Sequence, residues 1–230
     1  EPEDVENAKR VLQTAVNLGI DFIDTADSYG PGVSERLIAE TLAPYPEDLV
    51  VATKGGLLRN REGDWIPSGH PDYLRNAHLC SLDRLRTDSI DLYQYHRPDP
   101  AVDFEASVAA LAELKDEGVI RHLGLSNVTV EQLDLARDIV DVATVQNAYN
   151  VGDREAEDVL DACEANDIGF IPYFPLGAGD LGEKHSALSS VRLSAKSVST
   201  SATQSRRSKE AALTPNNAHS LLVGYPRRHN

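Results

Sequence analysis

The chain has 230 residues, 41% of them hydrophobic and 26% charged, with 37 acidic and 22 basic side chains for a net charge of −15. That composition suits one globular domain with a core of its own, and so acidic a surface repels phosphates, which excludes nucleic acid as a main partner. No apolar run approaches the roughly 18 residues of a membrane helix and no cationic leader with an apolar core opens the chain, while two cysteines, Cys80 and Cys163, are too few for a disulfide scaffold or a Cys-rich zinc site and read as thiols of a reducing cytoplasm.

The chain alternates between two periodicities. Val5, Ala8, Leu12, Ala15 and Val16 recur at helical spacing over Glu3–Leu18, and Gly19 marks the stop. Ile20–Thr25 predicts a strand, Ser34–Leu42 a helix with Ser34 as N-cap, and Leu49–Thr53 a β-branched strand. A helix over Pro71–Leu85 and a strand over Ser89–Tyr95 follow, then an amphipathic helix over Phe104–Glu117 that Gly118 ends. His122–Leu125 is a strand, Thr129–Ile139 a helix opened by a Thr129/Gln132 capping box, and Ala143–Asn147 a strand. Arg154–Asn166 and Gly169–Tyr173 give the last helix and strand.

Six strands strictly alternating with six helices mean parallel βαβ units. Gly30-Pro31-Gly32 lacks the third glycine of a dinucleotide-binding turn, so the architecture expected is a (β/α)8 barrel, which needs about 250 residues. In such barrels the chemistry sits at the C-terminal ends of the strands. Those ends carry Asp24 with Tyr29 beyond it, Lys54, His96, Ser126 with Asn127, Gln146 and Tyr173. Taken singly, each has a structural reading: a loop-capping Asp, a half-buried Tyr, a phosphate-binding Lys, a satisfied His. Recurring at one end of every unit, they describe a site.

A phenol is a poor acid at neutral pH, and a nearby ammonium stabilises its conjugate base. Lys54 can be that ammonium beside Tyr29, Asp24 can keep it charged, and His96 can orient a carbonyl. Nothing among these residues supplies hydride, so a nicotinamide cofactor is implied. A metal-dependent hydrolase would want His-x-His or paired acids at strand ends, and His96 stands alone on its strand.

The segment Asp21-Phe22-Ile23-Asp24-Thr25-Ala26-Asp27-Ser28-Tyr29-Gly30 resembles the Asp-x-Ala-x-x-Tyr-Gly signature of the aldo-keto reductases. Thr53-Lys54-Gly55, Tyr95-His96-Arg97-Pro98, Gly124-Leu125-Ser126-Asn127 and Pro172 to Gly177 are similar to further family motifs, in the family's order, over about Glu3 to Gly182. The resemblance implies a (β/α)8 barrel that reduces aldehydes or ketones with NADPH, less often NADH. It makes Tyr29 the general acid, Lys54 its tuning cation, Asp24 the partner of Lys54 and His96 the group that positions the carbonyl. Ser126, Asn127 and Gln146 would bond the nicotinamide carboxamide, and Tyr173 would stack on its ring. No metal is implied. Some barrels of the family serve as non-catalytic cofactor-binding subunits, which is the alternative reading.

The chain departs from that pattern at both ends. The family's first and eighth barrel strands find no counterpart, and the eighth leads into the adenosine-phosphate site that selects NADP over NAD. Composition also changes near Lys184–Ser190. From Lys184 onward there are eight bases, one acid and ten serines, whereas residues 1–183 carry a net charge of −22 and only seven serines. The expectation is a partial barrel over 1–183 of impaired activity, followed by a basic Ser-rich tail over 184–230, read as out of frame ahead of disordered. No methionine occurs, even at position 1, which points the same way. The acidic body, with eleven Arg to three Lys, is expected to suit high salt, where self-repulsion is screened.

Overall fold

A computed structural model describes residues 4–175 and the backbone of Leu221–Leu222. Helix α1 (Val5–Asn17) begins at Asp4, whose side chain accepts from the Asn7 amide, and turns Leu12 and Ala15 into the core. The chain continues through β1 (Phe22–Asp24), α2 (Val33–Leu42), β2 (Val50–Gly55), a ribbon of β3 (Leu57–Arg59) and β4 (Trp65–Pro67), and α3 (Pro71–Leu85). Then come β5 (Ile90–Tyr95), α4 (Phe104–Asp116), β6 (Ile120–Ser126), α5 (Val130–Ile139), β7 (Val142–Ala148), α6 (Glu157–Ala165), β8 (Gly169–Tyr173) and β9 (Leu221–Leu222).

Seven strands form one sheet in the order β8-β7-β6-β5-β2-β1-β9, and every neighbouring pair is parallel. The six strands and six helices expected are present as a curled, incomplete (β/α)8 barrel. Ile38, Leu74, Leu85, Leu111, Leu133 and Val159 from the helices close on Ile23, Ile90, Leu123 and Val145 from the strands, a continuous core. Burying one such side chain is worth about 1.5–3 kcal/mol. The capping box forms as the sequence predicts: the Thr129 side chain accepts from the Gln132 amide and Gln132 accepts from the Thr129 amide.

Three details differ from expectation. Gly32, in the left-handed region, caps α2, so Ser34 lies inside the first turn, and its hydroxyl is engaged by Thr25 Oγ1 at 2.7 Å. Helix α6 starts at Glu157, and Arg154 ahead of it ion-pairs with that residue. Segment 184–230 was expected to give no strand to the open edge, yet Leu221–Leu222 pairs with Ile23–Asp24. The rest of that segment, and the signature residues from Leu176, lie outside the described residues.

Parallel register lines up the layers of the barrel interior. Lys54 is opposite Gln94, Gln94 opposite Gly124, and Gly124 opposite Thr144. Gly124 is required there, since a Cβ would meet Thr144 Oγ1 at 2.4 Å and Gln94 Cγ at 2.8 Å. The interior layer is therefore polar, and it leads to the C-terminal ends of the strands.

Candidate active site

Asp24 closes β1 and is fully buried, as is Lys54 on β2. Lys54 Nζ donates to Asp24 Oδ2 at 2.6 Å and to the Thr25 carbonyl at 2.7 Å. Two amides complete the shell around the carboxylate: Gln94 Nε2 donates to Oδ1 at 2.9 Å and Gln146 Nε2 to Oδ2 at 3.3 Å. Burial opposes the ammonium charge, but the Asp24 carboxylate, and after it Tyr29, more than offset that and hold the Lys54 pKa above its ordinary value. The residue stays cationic although it is fully buried.

Tyr29 enters from the loop between β1 and α2, and Lys54 Nζ lies 5.3 Å from its ring centroid. His96 follows β5, anchored by its backbone amide on the Gly55 carbonyl. Its ring meets Tyr29 edge-on at 5.9 Å, and Ser28 Oγ lies 3.4 Å from Nδ1. Burial, then the positive charges of Lys54 and Arg97, push the His96 pKa well below the usual imidazole value. It is neutral at physiological pH and has one N–H to donate. All four residues of the predicted catalytic set thus converge at one end of β1, β2 and β5.

The expected cofactor residues lie on the adjoining strands. Ser126 ends β6, and its hydroxyl donates to the Gln146 carbonyl at 2.8 Å. Asn127 follows in the left-handed region, with φ of 59°. Its amide nitrogen donates to the His96 carbonyl and to Ser126 Oγ, each at 3.0 Å, and Tyr173 OH donates to its Oδ1 at 2.6 Å. Ser126, Asn127 and Tyr173 therefore form one bonded cluster beside His96. Gln146 is the exception: its amide nitrogen turns inward onto Asp24. The set of a hydroxyl, an amide and a half-buried ring, with no carboxylate among them, fits the nicotinamide end of a dinucleotide. No three His, Cys, Asp or Glu side chains gather to hold a metal among the described residues.

Sequence reasoning missed two groups. Gln94 lies on β5 two residues before His96, which follows that strand, so simple alternation would have found it. Trp65 on β4 meets Tyr29 edge-on at 6.4 Å and His96 at 6.3 Å, with the Arg59 guanidinium 3.9 Å over its ring. Behind the site, Glu35 on α2 pairs with Arg84 on α3 and accepts from Thr53 Oγ1 at 2.6 Å. Beside them Asp27 is pushed up to about 7 by burial and by Glu35, against the opposing pull of Arg84.

A buried Lys–Asp pair, a phenol and an imidazole of lowered pKa gather at the strand ends of an incomplete parallel barrel. The family model "Aldo/keto reductase family" matches residues 1–217, and the chain belongs to that family. Among curated relatives, "Uncharacterized oxidoreductase C215.11c" of Schizosaccharomyces pombe is 46% identical over 191 residues, which is 83% of this chain and 62% of that protein. Among solved structures, the glycerol dehydrogenase AKR11B4 from Gluconobacter oxydans superposes with a TM-score of 0.73 at 34% identity, over 80% of this chain and 57% of that one. An aldo/keto reductase from Klebsiella pneumoniae in complex with NADP and acetate superposes with a TM-score of 0.67 at 25% identity, over 80% and 65%. The chain spans 54% to 64% of the length of four curated relatives. It is of oxidoreductase lineage.

Proposed function

We propose that the chain carries the catalytic half of an NAD(P)H-dependent reductase of small aldehydes and ketones. The observation behind this is the buried Lys54–Asp24 pair, held at 2.6 Å beneath Tyr29 and beside a neutral His96. The cofactor, when bound, supplies hydride to the carbonyl carbon. The Tyr29 hydroxyl gives its proton to the carbonyl oxygen, and Lys54 stabilises the phenolate left behind. Asp24, fixed by Gln94 and Gln146, keeps Lys54 charged and aimed. The neutral His96 ring donates to the carbonyl oxygen and orients it without competing as an acid.

Ser126, Asn127 and Tyr173 would hold the nicotinamide, the first two through hydrogen bonds to the carboxamide and Tyr173 through its ring. Gln146 joins them through its remaining amide oxygen. The Klebsiella pneumoniae neighbour that holds NADP favours NADP(H) over NAD(H). Residues 1–183 make up the catalytic body in this reading, and 184–230 are a basic tail that adds β9 beside β1. Two unbonded thiols, Cys80 and Cys163, fit a reducing, cytoplasmic setting.

The test is NADPH oxidation with a short aldehyde, followed at 340 nm. Tyr29→Phe is expected to lower kcat at least a hundredfold while the circular dichroism spectrum stays unchanged. Turnover that survives the substitution would sink the assignment.

A further inference from the structure

The β3–β4 ribbon lies against the site, and the face it turns there carries the buried Leu57 together with Arg59 and Trp65. Register pairs Arg59 with Trp65 on one face and Leu58 with Ile66 on the other. The apolar pair points outward, at 39% and 42% exposure. The cation and the indole point inward, where Trp65 touches Tyr29 and His96.

Arg75, Arg84, Arg121, Arg137 and Arg154 each ion-pair with a carboxylate, whereas Arg10, Arg36, Arg61, Arg86 and Arg97 do not among the described residues. Arg59 has no such partner among the described residues, although residues 1–183 carry 36 acids. On the ribbon turn Asp64 is bound by Asn60, whose Nδ2 donates to its Oδ2 and whose Oδ1 accepts from its amide. A guanidinium whose carbon sits 3.9 Å over an aromatic ring can rest its flat face there and keep its edge N–H donors for a ligand. Those edge donors match a planar oxyanion in bidentate fashion. Arg97, on the same rim, adds positive potential that reaches both His96 and Tyr173.

We propose that Arg59, held on the Trp65 ring, is a specificity-determining residue that binds an anionic group, carboxylate or phosphate, of a short carbonyl substrate. This rests on the reductase reading above. The carbonyl end would reach Tyr29 and His96 while the anionic end meets the edge of Arg59.

Trp65 is the single tryptophan of the chain, so intrinsic fluorescence reports on this spot alone. The full chain is titrated with succinic semialdehyde, glyceraldehyde 3-phosphate and butyraldehyde, with no cofactor added. The two anionic aldehydes are expected to bind at least tenfold more tightly than butyraldehyde, and their ratio tells carboxylate from phosphate preference. In Arg59→Gln that preference falls to within twofold, while Arg61→Gln, on the exposed turn, retains it. Equal binding of charged and neutral aldehydes by the unaltered chain overturns the proposal, as does a preference that survives Arg59→Gln. NADPH oxidation is read separately. Discrimination in fluorescence without turnover would leave the recognition site standing and remove the reductase reading. Tyr29-dependent turnover without discrimination would do the reverse.

Discussion

At the scale of single residues, the Asp24 carboxylate decides most. It accepts from Lys54, Gln94 and Gln146 at once, in a place closed to solvent. Removing one partner of a buried ion pair leaves the other without compensation, at a cost of about 3–5 kcal/mol. Asp24→Asn is therefore expected to lower unfolding free energy by about 3 kcal/mol in urea, and adding Lys54→Met to restore most of the loss. Simple additivity of the two changes would show that the pair is uncoupled. Asp24 and Lys54 were legible from the sequence because strand ends in a parallel barrel face the same way. Gln94 and the inward turn of Gln146 were not, because they depend on register across three strands, which no single segment encodes.

Between the residue and the whole lie the elements that hold the Tyr29 loop. Asp27 in that loop faces Glu35 and Arg84 from α2 and α3, with Tyr73 and Ser28 beside it. Its folded pKa of about 7 stands above the ordinary Asp value of about 3.9. Between those values the folded state binds more protons than the unfolded one, so stability falls as pH rises from about 4 to about 7 and then levels off. The favourable contribution is complete below about pH 4 and gone above about pH 7. Asp27→Asn should raise stability at pH 8 by about 1–3 kcal/mol and leave it unchanged at pH 4, measured as urea midpoints of both proteins at each pH. A gain of equal size at both pH values would mean that the carboxyl is not the cause. The helices were legible through their 3.6-residue spacing and caps such as Thr129. The β3–β4 ribbon was not, since each strand has three residues and one ends in Pro67. Its one signal was the turn from Asn60 to Gly63 between two short apolar stretches.

For the molecule as a whole, charge is the dominant fact. The body carries a net charge of −22, and its exposed acids repel one another wherever the Debye length is long, about 10 Å at 0.1 M salt and 3 Å at 1 M. Raising KCl from 0.1 to 2 M is expected to raise Tm by roughly 10 °C, and a flat or falling Tm would end the high-salt reading. Acid and base counts made this legible from composition alone. The pairing of β9 with β1 was not, since two leucines in a serine-rich stretch carry no periodicity. That pairing has a consequence in time. Every other pair in the large sheet joins strands that follow one another in sequence around the barrel wall, so each can form as soon as the next unit emerges. Ile23 must wait for Leu221, a closure that spans nearly the entire chain and pays the loop entropy of that span. During synthesis the edge that carries Asp24 is consequently among the first parts made and the last to gain its second neighbour, and it is there that a nascent chain offers other strands a place to join.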